Sequence, residues 1–133
     1  MFDLAKLSTE LADEGATLEL RHPQTEEVIP GAVITLLGED SKVYRKLEKD
    51  RLQSALNRMS KGKKADALQA DKAIEDELEK LVSLTKGWTL PPMNGEPITF
   101  SADAARKLYS NPGLRWIRDQ VSAFISERAN FFR

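Results

Sequence analysis

The side chains best suited to chemistry in this sequence are one histidine and two adjacent pairs of acids. His22 is the only histidine, the pair Glu26 and Glu27 follows it closely, and Glu39 and Asp40 come together further along. A metal site or an acid–base pair at His22 would need partners, and without cysteine only carboxylates could supply them. Adjacent acids are weak evidence for catalysis, because the fold, and not adjacency, brings catalytic carboxylates together. We therefore interpret His22 as structural, the first pair as a polar turn and the second as a helix start.

The sequence contains none of the common motifs for phosphate, dinucleotide or acyl chemistry. It has no phosphate-binding loop, no dinucleotide-binding glycine pattern and no nucleophile elbow. It also has no cysteine, which excludes disulfides, thiolate metal sites and thiol catalysis. We predict that the protein is not an enzyme and that it uses no metal and no cofactor.

Charge is distributed along the chain in blocks of alternating sign. The net charge is −7 over residues 1–41, +7 over residues 42–64, −4 over residues 65–80 and +3 over residues 81–133. We favour the interpretation that neighbouring blocks neutralise one another within one fold. The alternative is a functional basic patch over the second block, which could bind nucleic acid. The only aromatic residue of that block is Tyr44, and it falls on the apolar side of the predicted helix, which counts against nucleic-acid binding.

Aromatic side chains are the best candidates for contacts with a partner. We name Trp88, Phe131 and Phe132 as tentative partner-binding residues. For Trp116 and Phe124, packing in the core is the better interpretation. Two alternatives stay open for Phe131 and Phe132: they dock on the fold, or they are exposed and contact a partner.

The first third of the chain has the pattern of an antiparallel β-hairpin. Residues 16–22 alternate, with Leu18 and Leu20 on one face, as in a half-buried strand. A turn over residues 23–27 leads to a second strand that ends near Leu37. The residues before the hairpin form either a short helix or an extended arm, with apolar positions at Phe2, Leu4, Leu7 and Leu11.

The stretch from Val33 to Tyr44 joins the strands to the helices. We expect Gly38 to adopt a backbone conformation that is closed to other residues, because this suits a sharp exit from a strand. Asp40 or Ser41 is expected to cap the helix that follows. The apolar side of that helix is predicted at Val43, Tyr44, Leu47, Leu52, Ala55, Leu56 and Met59.

Four helices are predicted after this joint. Their expected boundaries are residues 42–59, 65–85, 101–109 and 114–129, with a flexible basic connector over residues 60–64, a helix stop at Lys86-Gly87, a loop over residues 91–97 and a cap at Ser101. The apolar stripe of the second helix is expected at Ile74, Leu78, Leu81, Val82 and Thr85. The first two helices are predicted to form an antiparallel hairpin in which a basic helix lies beside an acidic one.

Together these elements predict an α+β fold, mainly α, with an N-terminal antiparallel β-hairpin, a long helical hairpin and two further C-terminal helices. We expect a single domain over residues 1–133, divided into the β-hairpin region (1–40), the helical hairpin (41–86) and the loop plus C-terminal helices (87–133). No apolar run approaches the ~20 residues of a membrane helix. The first four residues lack the pattern of a signal peptide, so we expect a cytoplasmic protein.

Several short motifs follow one another in a recognisable order. They are Phe2-Asp3-Leu4; Leu20-Arg21-His22-Pro23 with Thr25 and Glu26; Ile34 to Leu37 followed by Gly38-Glu39-Asp40-Ser41 and Tyr44-Arg45; a charged helical middle; Gly87-Trp88; Pro97 to Phe100 with Ser101; and Asn130-Phe131. In this order they resemble the tail assembly chaperones of long-tailed, siphovirus-type bacteriophages. The likeness extends over nearly the whole chain, and none of its motifs is catalytic.

The resemblance implies a protein that acts by binding. Such proteins coat the long helical tape measure protein, keep it in solution, help to recruit the tail tube protein, and are absent from the finished virion. It also implies the host bacterial cytoplasm and, in many members, a frameshifted longer form. Grooves between amphipathic helices suit such a partner, many weak contacts along one filament add up, and blocks of opposite charge suit self-association.

Two other functions stay open on the sequence alone. One is a structural component of the particle, such as a head–tail connector or a tail completion protein. The other, which we consider less favoured, is a nucleic-acid-binding protein that uses residues 42–64. We expect no interaction with a membrane.

Overall fold

The computed structural model describes residue 4, residues 11–60 and residues 66–132. Within them the elements are, in order, α1 (Leu11–Glu14), β1 (Ala16–Arg21), β2 (Val28–Leu36), α2 (Lys42–Ser60), α3 (Asp66–Leu84), β3 (Thr85–Thr89), α4 (Ala102–Ser110) and α5 (Arg115–Ser126). Two short 3-10 helices, Pro112–Leu114 and Arg128–Phe131, lie on either side of α5. Most of the predicted opening segment, and residues 61–64 of the predicted connector over residues 60–64, lie outside the described residues.

The predicted β-hairpin and the predicted fold class, α+β and mainly α, are confirmed. β1 pairs antiparallel with β2, so that Ala16 lies opposite Leu36 and Leu18 opposite Ile34. The alternation seen in the sequence places Leu20 in the core while Arg21 is exposed. A period of two along a strand therefore predicts the buried face correctly here.

The side chain of Gln120 attaches α5 to the edge of the sheet. Its Oε1 accepts a hydrogen bond from the backbone N–H of Arg21 at 2.9 Å, and its Nε2 donates to the carbonyl oxygen of Arg21 at 2.8 Å. The two bonds are the ones that a neighbouring strand would otherwise form with an edge strand. Gln120 thus closes this end of β1 to further strand pairing.

A third strand, which the sequence pattern does not predict, begins directly after α3. β3 pairs antiparallel with β2, and Trp88 lies opposite Ile34. The predicted helix stop at Lys86-Gly87 is therefore wrong, because α3 ends at Leu84 and Gly87 lies within the strand. The strand is short and contains glycine, which is uncommon in strands, and its partner is distant in sequence. A third strand also supports the hairpin, which would be marginal alone.

The core lies between one face of the sheet and the helices α3, α4 and α5. The strands supply Leu20, Ala32, Ile34 and Leu36, and the helices supply Leu81, Val82, Leu84, Ala105, Leu108, Tyr109, Ile117, Val121 and Ile125. Trp116 and Phe124 are half-buried and pack against this core. The predicted cap of α4 is also confirmed, since Ser101 accepts a hydrogen bond from the N–H of Ala104.

Tyr109 and Thr85 form a polar pair inside this core. The Thr85 hydroxyl donates to the carbonyl oxygen of Leu81 at 2.7 Å and lies 2.7 Å from the Tyr109 hydroxyl. Since the single Thr85 proton is used by Leu81, the Tyr109 hydroxyl donates to Thr85. Burial of the ring raises the pKa of Tyr109 to about 12.

The raised pKa makes stability depend on pH at the alkaline end. The neutral phenol is favoured in the folded state, so its contribution is complete below pH 10 and is lost as the pH rises towards 12. We expect the free energy of unfolding of the wild type to fall by about 2 kcal/mol more than that of Tyr109→Phe over this interval. Urea unfolding at several pH values measures both slopes. Tyr44, whose pKa is also raised to about 12, is present in both proteins and so does not contribute to the difference between them. Equal slopes for the wild type and Tyr109→Phe would contradict the assignment.

Candidate interaction surface

Helix α2 is fixed to the rest of the fold at its first turn. Ser41 is fully buried, and its hydroxyl accepts a hydrogen bond from the N–H of Tyr44 at 3.1 Å. Asp13 of α1 accepts a second bond, from the N–H of Lys42, at 2.7 Å. The predicted cap is therefore confirmed at Ser41. Asp40, the alternative cap, instead accepts two bonds from the guanidinium of Arg128, at 2.8 and 3.2 Å.

Replacing Ser41 with alanine should loosen this attachment. The substitution removes a side-chain cap, and we expect it to lower the free energy of unfolding by about 1–2 kcal/mol. Chemical denaturation measures the change. The matched control is Ser126→Ala on the exposed surface of α5, which should stay within about 0.5 kcal/mol of the wild type. Equal effects of the two substitutions would show that the cap contributes nothing.

The structure places Phe131 in the interior of this chain. Its side chain is 1% exposed, and its ring lies edge-on to the ring of Phe124 with centroids 5.6 Å apart. Of the two alternatives left open by the sequence, docking on the fold is the one observed for Phe131. Phe132 is half-buried, so it keeps some surface for a partner.

Gly38 is needed because Phe131 lies against it. A Cβ atom at Gly38 would stand 2.9 Å from two carbons of the Phe131 ring and 3.1 Å from the Cβ of Ala12. Among the described glycines, only Gly15, Gly31 and Gly95 have positive φ. The prediction of a special backbone conformation at Gly38 is therefore wrong, and the requirement for glycine is steric.

Trp88, the third tentative partner residue, is half-buried within β3. Its Nε1 donates to the carbonyl oxygen of Ile98 at 2.9 Å, and its ring meets that of Phe100 edge-on at 5.0 Å. These contacts attach the segment that follows the loop over residues 91–97 to the sheet. The three predicted partner residues are thus not brought together into one surface.

His22 closes the turn between β1 and β2. Its Nδ1 accepts hydrogen bonds from the N–H groups of Gln24 and Thr25, at 3.1 and 3.3 Å. Within the described ranges, no cluster of three or more histidine or acidic side chains could hold a metal ion. The geometry of His22 is that of a turn residue.

Helices α2 and α3 meet around Tyr44. The ammonium of Lys80 lies 5.6 Å from the centre of the Tyr44 ring, a distance typical of a cation–π contact. Burial, followed by the hydrogen bond with Glu48, raises the pKa of Tyr44 to about 12. Beside this contact, a small groove of about 130 Å³ runs between the helices and is lined mostly by charged and polar side chains. Its size and lining do not suit an apolar ligand.

Further along the helical hairpin, three large apolar side chains are exposed. Leu52 is 63% exposed, Leu56 is 51% exposed and Ile74 is 60% exposed. The predicted apolar stripe of α3 is therefore wrong at Ile74, and the predicted apolar side of α2 is wrong at Leu52 and Leu56. At about 100° per residue, these two positions are rotated by about 80° and 120° from Tyr44, so they leave the side that faces α3. A strict helical projection of the sequence would have separated them.

The described acids of α3 form their ion pairs with residues other than those of α2. Glu79 binds Arg106 of α4, with Nε and Oε1 2.7 Å apart, and this bond lowers the pKa of Glu79. Asp76 and Glu77 pair with lysines of their own helix. The basic helix α2 thus lies beside the acidic helix α3 as predicted, but no direct ion pair joins the two helices among the described residues.

The exposed leucines of α2 share a face with two cations. Arg45, Lys49, Leu52 and Leu56 follow one another at intervals of four, three and four residues, which places them on one side of the helix. All four are exposed. Arg45 and Lys49 form no ion pair with any residue that the structure describes. We call these four residues the α2 outer stripe, and it is the best candidate for a functional surface.

Similarity to known proteins does not identify this chain. None of the described helices is long and apolar enough to cross a membrane. No family model, characterised protein or solved structure matches this chain. The function must therefore be inferred from the α2 outer stripe and from the order of motifs in the sequence.

Proposed function

We propose that this protein is a non-catalytic tail assembly chaperone of a long-tailed bacteriophage, which binds the tape measure protein and supports assembly of the tail tube. The observation that supports this most directly is the exposure of Leu52, Leu56 and Ile74 on a helical hairpin. Exposed apolar side chains on a helix suit contact with an amphipathic helix of another polypeptide. A long helical tape measure protein offers many such faces.

The small size of each exposed patch fits a chaperone that acts in many copies. One pair of leucines gives a weak contact, whereas many copies along one filament bind with a large combined affinity. The opposite charges of residues 1–41 and 42–64, −7 and +7, favour self-association of neighbouring copies. Assembly of this kind takes place in the host bacterial cytoplasm, and the protein leaves before the virion is complete.

Co-expression tests the proposal. It predicts a very long helical reading frame directly downstream of this gene, whose product is insoluble alone and soluble when this protein is made with it. Purification of a complex by a tag on either partner, followed by light scattering, gives the ratio of copies. A downstream product that stays insoluble, or that never co-purifies, would contradict the proposal.

The main alternative is a structural head–tail connector or tail completion protein. Mass spectrometry of purified virions separates the two functions, because a chaperone is absent from the particle and a structural component is present. Detection in stoichiometric amounts would favour the alternative.

Nucleic-acid binding is a second candidate, and it is favoured by the cations Arg45 and Lys49, which form no ion pair with a described acid. The leucines of the same stripe count against it, because a nucleic-acid surface combines cations with stacking aromatic rings. A DNA mobility-shift assay at several salt concentrations decides the matter, since phosphate contacts weaken steeply with ionic strength.

A further inference from the structure

The α2 outer stripe is divided into a charged half and an apolar half. Arg45 and Lys49 occupy its first half, and Leu52 and Leu56 its second. The four positions extend over three helical turns, a length of roughly 16 Å at 1.5 Å per residue. A surface of this length matches one face of a single helix.

The charges on the stripe define what can cover it. A cation beside an apolar contact must either stay hydrated or meet an opposite charge when the surface is covered. Among the described acids of α3, Asp76, Glu77 and Glu79 pair with other side chains. No described acid forms an ion pair with Arg45 or Lys49. A partner that covers the stripe can therefore supply the opposite charge. Like charges in the partner would oppose association.

We propose that the α2 outer stripe binds a partner helix in which two acidic residues precede or follow two apolar residues on the same face, so that the acids meet Arg45 and Lys49 while the apolar pair covers Leu52 and Leu56. This inference rests on the proposed function and specifies which segments of the tape measure protein are bound. Segments of the tape measure protein that carry basic residues opposite Arg45 and Lys49 are expected to bind weakly. Because the stripe is charged at one end and apolar at the other, a given partner helix can bind in only one direction relative to α2.

Nucleic acid is the less suitable occupant of this surface. Half of the stripe is leucine, and the exposed acids Glu48 and Asp50 lie on the same helix. Phosphates would gain from the two cations of the stripe only, and a phosphate lying against the two leucines would lose hydration without a polar contact in return. The charge pattern therefore favours a protein helix.

Two labelled peptides test the inference on the full-length protein. Both are helical 18-residue peptides with the same two leucines; one presents two glutamates at the matching positions and the other two lysines. We expect the glutamate peptide to bind at least about tenfold more tightly, measured by fluorescence anisotropy. Backbone amide shifts should change along residues 45–56 and not in α5.

A matched pair of charge reversals on the same helix gives the control. Lys49→Glu should weaken binding of the glutamate peptide by about five- to tenfold, whereas Lys46→Glu, which lies off the stripe, should change it by less than about twofold. Lys49→Glu should also improve binding of the lysine peptide. Both substitutions change the net charge equally, so a general effect of charge would weaken binding of the glutamate peptide equally in the two variants.

Three outcomes would overturn the inference: equal binding of the two peptides, equal effects of the two substitutions, or tighter binding of a short DNA duplex than of the glutamate peptide. If neither peptide binds but the downstream product is still kept soluble by co-expression, the proposed function stands and the α2 outer stripe is not its binding surface. If co-expression fails as well, the proposed function fails too.

Discussion

Replacing Phe131 with alanine is expected to lower the free energy of unfolding by about 3–5 kcal/mol, which corresponds to a fall in melting temperature of about 10–20 °C. The reason is the position of this side chain, which is 1% exposed although it lies close to the end of the chain. Its ring contacts Phe124 of α5. It also lies against Gly38, in the joint between β2 and α2. Loss of the ring would therefore leave a cavity between the C-terminal 3-10 helix and that joint.

Phe132→Ala is the control for this prediction. The two residues are adjacent and chemically identical, but Phe132 is only half-buried, so its loss should cost about 1–2 kcal/mol. Thermal unfolding followed by circular dichroism compares the two variants. Similar losses at the two positions would show that Phe131 is not packed against the joint.

Gly38 allows the same contact to be tested from its other side. Gly38→Ala places a methyl group 2.9 Å from the Phe131 ring, and we expect a loss of about 1–3 kcal/mol from overpacking. In a Phe131→Ala background the obstructing ring is gone, so the same substitution should cost clearly less. A double-mutant cycle with additive effects would contradict direct contact between the two residues.

The contrast between Ser41 and Gly38 shows how much of the fold the sequence predicts. Ser41 caps α2 as expected, because capping depends on a side-chain oxygen and on backbone groups three residues away. Gly38 is a different case, since its role depends on Phe131, which is more than ninety positions further along. Local chemistry is readable from a single sequence, whereas steric fit between distant segments is not.

The same distinction explains the missed strand. The alternation of residues 16–22 is visible by itself, because its period of two follows from the strand geometry. β3 has only five residues and follows α3 without a loop, so nothing local separates it from a helix end. Its pairing with β2 is a long-range property.

The candidate surface was only partly predictable for a similar reason. A helical hairpin whose first helix is basic follows from the sequence, and the resemblance to tail assembly chaperones implies a partner. A helical projection separates Leu52 and Leu56 from Tyr44, but which side of α2 faces α3 depends on the packing around Tyr44, and the sequence alone does not show it. The aromatic residues predicted as partner contacts, by contrast, are chiefly used to hold the fold together.

Replacing both Leu52 and Leu56 with glutamate is expected to remove the binding function while the fold stays intact. Each leucine is more than half exposed, so the melting temperature should stay within about 2 °C of the wild type. Binding should weaken by at least about tenfold, because the apolar half of the contact is lost and two carboxylates are placed against the apolar pair of the partner. The readout is the amount of downstream product kept soluble on co-expression, together with the affinity for the glutamate peptide.

The matched control for this double variant is Val28→Glu with Met93→Glu. These residues are 41% and 37% exposed, lie outside the helical hairpin and undergo the same change from an apolar to an acidic side chain. Net charge therefore changes by the same amount in both double variants, and only one of them alters the α2 outer stripe. If the control loses binding equally, the effect is one of overall charge; if the Leu52 and Leu56 variant retains binding, those leucines are not part of the contact. Loss confined to the stripe, with both melting temperatures preserved, is the result that a surface used for binding and not for folding requires.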